Sequence, residues 1–178
     1  MGGLQIMKHK TKPIVIIILT AITALLITFR IIYVNNTLYS IPERYIYAVN
    51  EEFECYGMSM SLSDYKIYSG EKLNNIYNNE LEGMTDDNDI MFNLTIKNTS
   101  DKIKSYNAIA SGIMYGYESG GSANPYLYQY FNPKIPGIIE IAPNESVTVT
   151  LAFPCDKNET TIEYVASLYP ENVRVKLR

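Results

Sequence analysis

The acidic segment 85–89 is one stretch of this chain whose side chains suggest chemistry. It reads Thr85-Asp86-Asp87-Asn88-Asp89, which concentrates carboxylate and amide oxygens. Oxygen ligands of this kind are those that hard cations such as Ca²⁺ prefer. Asp86, Asp87 and Asp89 are therefore candidate metal ligands in a loop between strands, although the spacing matches no defined calcium loop. A solvated acidic loop without metal is the favoured interpretation.

Tyrosines are dense on both sides of a Gly/Ser segment at 119–122. A tyrosine ring offers broad apolar contact with a polar tip, so exposed rings here would suit recognition of a glycan or a protein. Tyrosines at every second position over 126–130 are also typical of a strand that packs one side against a core, and this alternation favours a packing role over ligand binding. The candidate ligand-binding residues are Tyr115, Tyr117, Tyr126, Tyr128 and Tyr130.

Cys55 and Cys155 are the only cysteines, and both follow the apolar N-terminal segment. Outside a membrane they could oxidise to a disulfide. Such a bond would close a loop of about 100 residues and, in the chain-entropy model, stabilise the fold by about 4.7 kcal/mol. Because spacing cannot establish pairing, the sequence leaves two alternatives, a Cys55–Cys155 disulfide or two buried free thiols.

Catalysis and nucleic-acid binding are disfavoured by composition. The single histidine, His9, lies among lysines near the N-terminus, so the rest of the chain has none for a Ser or Cys triad or a zinc site. Up to residue 34 the chain has four of its fifteen basic residues and none of its nineteen acids. The remainder therefore has eleven basic residues against nineteen acids, a net charge of about −8, which disfavours nucleic acid. We predict no enzyme activity and no cofactor.

An apolar segment at Ile14–Val34, with Arg30 as its one charge, is the first element that would position these residues. As a helix, its 21 residues span about 31 Å, which matches a bilayer core of about 30 Å. Three lysines precede it, so the positive-inside rule predicts a cytoplasmic N-terminus and an extracellular remainder in a single-pass cell-membrane protein. A cleaved signal peptide is the alternative, but such peptides have shorter apolar segments and a small-residue cleavage site. The predicted parts are a cytoplasmic tail at 1–13, a transmembrane helix at 14–34, a spacer at 35–43 and an extracellular domain at 44–178.

Alternation of apolar and polar residues, the pattern of half-buried strands, dominates the extracellular domain. The clearest strands are predicted at 90–96, 147–153, 162–168 and 173–177. A further run begins at Met58 and slips phase near Asp64, which indicates a bulge or a bend onto a second sheet. Less regular strands are predicted at 44–49, 108–117 and 126–131, with a weak helical signal over 71–81.

Turn sequences separate these runs, and Ser119-Gly120-Gly121-Ser122 predicts a flexible hairpin connection. Many short strands with such turns predict an all-β fold, an immunoglobulin-like antiparallel β-sandwich preceded by one N-terminal transmembrane α-helix. A small barrel is the alternative.

The order of three segments also carries a resemblance. They are an early Met-Ser-Met-Ser-Leu strand at 58–62, a strand and Asn-Thr-Ser-Asp-Lys turn at 92–102, and Ala142-Pro143-Asn144 leading into the strand at 147–153. In this order the chain resembles small membrane-anchored immunoglobulin-like extracellular domains of unknown function from low-GC Gram-positive bacteria. The resemblance implies an immunoglobulin-like fold and a cell-envelope location, and it brings no catalytic residues. The two cysteines depart from the general pattern.

These observations predict a non-catalytic, membrane-anchored extracellular binding or assembly module of a bacterial cell envelope. Its partners would be the membrane and a protein or glycan at the cell surface, with no nucleic acid. One alternative is an extracellular sensor or an accessory subunit of a membrane complex. A carboxylate-based envelope hydrolase, which needs two acids facing each other across a pocket, is the least favoured alternative.

Overall fold

The computed structural model describes residues 8–38, 43–115, 119–168 and 171–178. It divides into two compact units, Met1–Ile41 and Pro42–Arg178. The described part of the first unit is a helix, and the second unit contains the β-strands.

Helix α1 covers Lys8–Leu38 and includes the apolar segment Ile14–Val34. By length and composition this segment can cross a membrane, a property that it shares with signal sequences near an N-terminus. Each of its three threonines donates its hydroxyl hydrogen to the carbonyl oxygen four residues earlier, at 2.9 Å. The hydroxyl groups of these three threonines are thereby satisfied within the helix. The helix extends past the predicted span at both ends, into the predicted tail and spacer.

The second unit has twelve strands and two short helices in its described residues. The strands are β1 (Arg44–Ala48), β2 (Glu52–Cys55), β3 (Met58–Leu62), β4 (Lys66–Ser69), β5 (Asn88–Asn98), β6 (Lys104–Asn107), β7 (Gly112–Tyr115), β8 (Ser119–Ser122), β9 (Ile138–Ile141), β10 (Ser146–Pro154), β11 (Ile162–Ser167) and β12 (Asn172–Lys176). The helices are α2 (Gly70–Ile76) and α3 (Pro125–Phe131).

Two five-stranded sheets form the sandwich. The first has the order β1-β12-β11-β7-β8, and the second has the order β10-β5-β3-β2 with β4 also paired to β5. A separate two-stranded sheet pairs β6 with β9. The pairs are antiparallel except for β1 with β12, which is parallel, so the predicted purely antiparallel pattern is wrong at this one edge.

The main core lies between the two sheets because the alternating apolar positions of their strands face each other. Leu94 of β5, Leu151 of β10 and Tyr164 of β11 are fully buried in it. Phe92 stacks on Phe153 with ring centroids 5.6 Å apart, and edge contacts with Tyr164 complete an aromatic cluster. The strands predicted from strict alternation are confirmed, which makes the all-β sandwich a consequence of that pattern.

A second, smaller core lies on the outer face of the β10-β5 sheet. Leu73 of α2 and Leu127 of α3 are buried there against Ala152, whose side chain faces away from the main core. The two helices thus cover a face that would otherwise expose apolar side chains.

Helix α3 replaces the strand that was predicted at 126–131. Asn124 caps it, because the side-chain oxygen of Asn124 accepts hydrogen bonds from the backbone N–H groups of Tyr126 and Leu127 at 3.1 and 3.2 Å. Pro125 occupies the first helical turn, where its missing N–H costs nothing. The strand prediction is wrong because it relied on the alternation of the tyrosines and did not take the Asn124-Pro125 sequence as the start of a helix.

Other differences have local causes. The phase slip near Asp64 is a break between β3 and β4, both of which pair with β5 in the same sheet and not in two sheets. The predicted hairpin connection at 119–122 is itself strand β8. A bulge between Val165 and Ser167 shifts the register of β11, so Leu168, predicted to point inward, is 57% exposed.

Candidate functional site

An acidic cleft of about 920 Å³ lies where the end of β10, the start of α2 and the loop before β5 meet. Four carboxylic acids line it, on three separate segments of the chain. They are Glu71, Asp86, Asp87 and Asp156. Within the described residues both ion pairs belong to Glu163, which lies elsewhere, so these four acids have no basic partner there. The cleft therefore concentrates acidic side chains without a directly paired base among the described residues, while the positive charge of Arg178 acts on its Cys155 side.

The loop that carries Asp86 and Asp87 is held by close packing on both sides. The N–H of Gly70 donates to the carbonyl oxygen of Asp87 at 3.2 Å, and a side chain at Gly70 would overlap the carbonyl oxygen of Asp86. The amide nitrogen of Asn124 donates to the carbonyl oxygen of Met84 at 2.8 Å and to a carboxylate oxygen of Asp86 at 3.2 Å. One residue, Asn124, thus starts α3 and fixes the cleft loop.

Asp89 lies beneath this loop and is fully buried. Its Oδ2 accepts the backbone N–H of Asp86 at 3.0 Å, whereas its Oδ1 has no hydrogen-bond partner among the described residues. Burial raises the pKa of Asp89 to about 6; the Asp86 N–H opposes this shift and the Asp86 charge adds to it. The side chain of Asp89 acts as a brace for the loop.

The candidate calcium site is not formed. Asp86 and Asp87 are exposed at the loop surface, and Asp89 is turned under the loop. No group of three His, Cys, Asp or Glu side chains in the described ranges could hold a metal ion. The physical reason is that Asp89 already belongs to β5, where strand geometry directs its side chain away from the loop surface.

Tyr115 and Cys155 line the same cleft, but neither is poised for chemistry. The Tyr115 hydroxyl donates to the carbonyl oxygen of Pro154, and burial, with the neighbouring Cys155, raises the pKa of Tyr115 to about 12. Burial, together with the charge of Asp89, raises the pKa of the Cys155 thiol to about 11. A protonated thiol is a weak nucleophile, so Cys155 is not set up for nucleophilic catalysis at neutral pH.

The predicted disulfide is absent, and both cysteines are free thiols. Cys55 ends β2 and lies, across β3, at the Asn98 end of β5, whereas Cys155 follows the residue of β10 that pairs with Asp89 at the other end. These ends are about 30 Å apart at the rise of a strand, and a disulfide needs Cα atoms closer than about 7 Å. Burial raises the pKa of the Cys55 thiol to about 11, which makes it inert as well.

The candidate tyrosines do not form one surface. Tyr115 lies at the acidic cleft, and Tyr117 falls outside the described residues. On α3, Tyr126 is 67% exposed, Tyr128 is buried at 2%, and Tyr130 is partly buried. Packing is therefore the role of Tyr128, as the alternation favoured, whereas helical geometry turns Tyr126 to solvent.

Two clusters were not anticipated from the sequence. Tyr130 joins Tyr77 and Phe131 in a cluster of edge contacts with ring centroids 5.2 to 5.8 Å apart. This cluster could not be predicted because helix α3 was not predicted. Glu163 is 5% exposed and pairs with Arg174 at 2.9 Å and with Arg44 at 2.5 Å, linking β1, β11 and β12. The sequence did contain a signal for this second cluster, because Glu163 and Arg174 occupy polar positions in two predicted strands that follow each other along the chain.

The chemistry available at the cleft is electrostatic attraction. Acids without a directly paired base on a concave surface attract cationic groups. Among the described carboxyls, Asp89 has the raised pKa, and its burial keeps it out of contact with a substrate. Acid–base catalysis needs such a group within hydrogen-bond reach of its substrate. The arrangement suits binding.

No protein-family model matches the chain, and no curated protein matches it in sequence. Solved structures do resemble it. The YjhA protein of Bacillus subtilis is 14% identical with a TM-score of 0.53, covering 74% of this chain and 99% of its own. A conserved hypothetical protein from Bacillus anthracis is 11% identical with a TM-score of 0.51, covering 74% of this chain and 95% of its own.

A secreted protein from Mycobacterium tuberculosis, MPT63, is 12% identical with a TM-score of 0.51, covering 78% of this chain and 99% of its own. Each likeness spans nearly the whole of the similar protein. At these identities it concerns the fold, a β-sandwich shared with bacterial proteins of which one is secreted.

Proposed function

We propose that this protein is a non-catalytic binding module of the cell envelope, held by α1 in the membrane with its β-sandwich outside the cell. The observation that carries the proposal is the segment Ile14–Val34, none of which is buried within the protein. An apolar surface of this size, uncovered by protein, is stable in a bilayer and not in water. The secreted protein MPT63, similar in fold, supports an extracellular place for the sandwich.

The lysines before the span support the orientation, with the N-terminus in the cytoplasm. The sandwich has its own core between two sheets, which supports its display as a module. The absence of enzyme activity is part of the proposal, supported by the thiol pKa values and by the buried position of Asp89.

The acidic cleft supports the proposal that the module binds a partner with a basic surface. A partner rich in lysine or arginine would meet Glu71, Asp86, Asp87 and Asp156 on a concave surface, where field lines of one sign are focused. Such attraction speeds association and weakens as salt is added.

The test of this binding mode uses the full chain in nonionic detergent and an oligolysine peptide as the probe. The variant Asp86→Lys/Asp87→Lys/Asp156→Lys should lose binding at low salt. A control with the same net charge, Glu140→Lys/Glu145→Lys/Asp101→Lys, changes exposed acids that do not line the cleft and should retain it. Equal loss in both variants would show that net charge alone attracts the peptide and would contradict a role for the cleft.

A second experiment separates a display module from a sensor. Replacing Ile14–Val34 with an unrelated transmembrane helix should preserve surface display and peptide binding. If binding to the cell-surface partner depended on the native helix sequence, the helix would be doing more than anchoring, and the module proposal would be wrong.

A further inference from the structure

A second concave site, separate from the acidic cleft, lies on the outer face of the β10-β5 sheet beside α2 and α3. Its volume is about 310 Å³, at the small end of the range for small-molecule pockets. None of its lining residues lines the acidic cleft. We refer to it as the aromatic pocket.

One part of its lining is apolar and aromatic, contributed by α2, α3 and β4. Tyr68, Tyr77 and Phe131 supply rings, and the fully buried Leu73 lies behind them. The Tyr77 ring meets the Phe131 ring at 5.2 Å and 72°, and the Tyr130 ring at 5.8 Å and 82°. These edge contacts hold Tyr77 in place before any ligand arrives, which lowers the entropy lost on binding.

The other part is polar and comes from the sheet face and the break between β3 and β4. Thr150 donates its hydroxyl hydrogen to the side-chain oxygen of Asn93 at 2.9 Å, which orients the Asn93 amide nitrogen as a donor. The Asn93 backbone N–H donates to the Ser63 hydroxyl at 3.0 Å. Within the described residues the carboxylate of Asp64 receives one hydrogen bond, from Asn50 at 2.7 Å, on one of its two oxygens.

The Thr150 backbone is itself fixed by a side chain. Asn132 accepts the Thr150 N–H at 2.9 Å and donates to its carbonyl oxygen at 2.8 Å, as a neighbouring strand would. Asn93 and Thr150 therefore stand on paired strands of the sheet, whereas Ser63 and Asp64 lie in the break between β3 and β4.

A pyranose ring matches this combination of surfaces. Its C–H faces are apolar and pack on aromatic rings, and each of its hydroxyl groups both donates and accepts. The aromatic pocket offers rings on one part, and on the other an amide donor, a carboxylate acceptor, two hydroxyls and Lys66. A long acyl chain needs a deeper apolar cavity, and a phosphate group would meet the Asp64 carboxylate.

We propose that the aromatic pocket binds one pyranose residue of a glycan, with its ring against Tyr77 and its hydroxyls on Asn93 and Asp64. This site is independent of the proposed binding of a basic partner at the acidic cleft. Either site can be refuted without consequence for the other.

The test is saturation-transfer NMR on the full chain in polyoxyethylene ether micelles, because maltoside and glucoside detergents carry the proposed ligand. The probes are glucose, galactose, mannose and N-acetylglucosamine. We expect at least one to bind with a dissociation constant of about 1 to 10 mM, as for a single small ligand with few contacts.

The variants Tyr77→Ala and Asn93→Ala should each weaken this binding about tenfold, equivalent to about 1.4 kcal/mol. Tyr126→Ala is the matched control, since Tyr126 is an exposed tyrosine of α3 that does not line the pocket, and its affinity should stay unchanged. If circular dichroism shows that Tyr77→Ala does not fold, the exposed Asn93 decides. Binding of none of the four sugars, binding that survives Asn93→Ala, or binding of phenol alone would each overturn the proposal.

Discussion

Replacing Asp89 with asparagine tests how the loop of the acidic cleft is held. The side chain is fully buried; its Oδ2 accepts the Asp86 N–H, and its Oδ1 has no partner in the part of the chain that the structure describes. The charged carboxylate therefore has one hydrogen bond to set against its loss of hydration, which is why its pKa is raised to about 6.

The sign follows from linkage. A carboxyl whose pKa is about 6 in the folded protein and 3.8 in the unfolded chain binds its proton more tightly when folded. Its contribution to stability is fully present below about pH 4 and is lost as pH rises to about 6. The shift of about two units corresponds to an upper value of about 3 kcal/mol. Water at the exposed Asp86 and Asp87 screens the charge, so we expect about 2 kcal/mol.

Asp89→Asn removes the charge while keeping the shape and the acceptor for the Asp86 N–H. We expect the variant to be more stable than the original protein by about 2 kcal/mol at about pH 7. At about pH 3.5 this advantage should be absent, because the carboxyl of Asp89 is then protonated and neutral, as the amide is at every pH.

Urea unfolding of the full chain in nonionic detergent, followed by tyrosine fluorescence, measures both values. The exposed neighbour Asp87→Asn is the control and should show no pH-dependent difference. A stability loss in Asp89→Asn at about pH 7 would refute the reasoning, since it would mean that the ionised carboxylate stabilises the loop.

Three further predictions concern the sandwich. Glu163→Gln should destabilise it by about 2 to 3 kcal/mol in the same urea experiment, because the buried Arg174 would lose its counter-charge; an unchanged midpoint would contradict this. Reducing agent, or the double change Cys55→Ser and Cys155→Ser, should not cause the loss of stability that removal of a cross-link would cause. Mass spectrometry of the original protein, alkylated after unfolding without reduction, should find two free thiols; finding none would show that the disulfide forms. Leu94→Ala should cost about 3 kcal/mol, whereas truncating the exposed Leu168 should cost less than about 0.5 kcal/mol; similar losses would show that the bulge in β11 is misplaced.

The long strands were predictable because burial of one face imposes strict alternation. Strand β5 extends two residues past each end of the apolar positions at 90–96, and β10 extends one residue past each end of those at 147–153. Short strands such as β2 and β9 were not predicted, because four residues give too few alternations to distinguish a strand from a loop.

The candidate site was less predictable because it depends on contacts between distant segments. The acidic run is visible in the sequence, but its division between an exposed loop and the buried Asp89 depends on where β5 begins. The aromatic pocket depends on α3, whose Asn124-Pro125 start was the available local signal. The pairing of the two cysteines could not be judged without the strand order, which places them at opposite ends of the sheet.

Labelling of intact cells tests the central claim most directly, namely that α1 anchors the protein and the sandwich lies outside. Cells would carry one epitope tag at the N-terminus and another after Arg178, and an antibody would be applied before and after permeabilisation. We expect the C-terminal tag to be stained on intact cells and the N-terminal tag only after permeabilisation, with both in the membrane fraction. A C-terminal tag that stains only after permeabilisation, or a protein released into the soluble fraction, would contradict it.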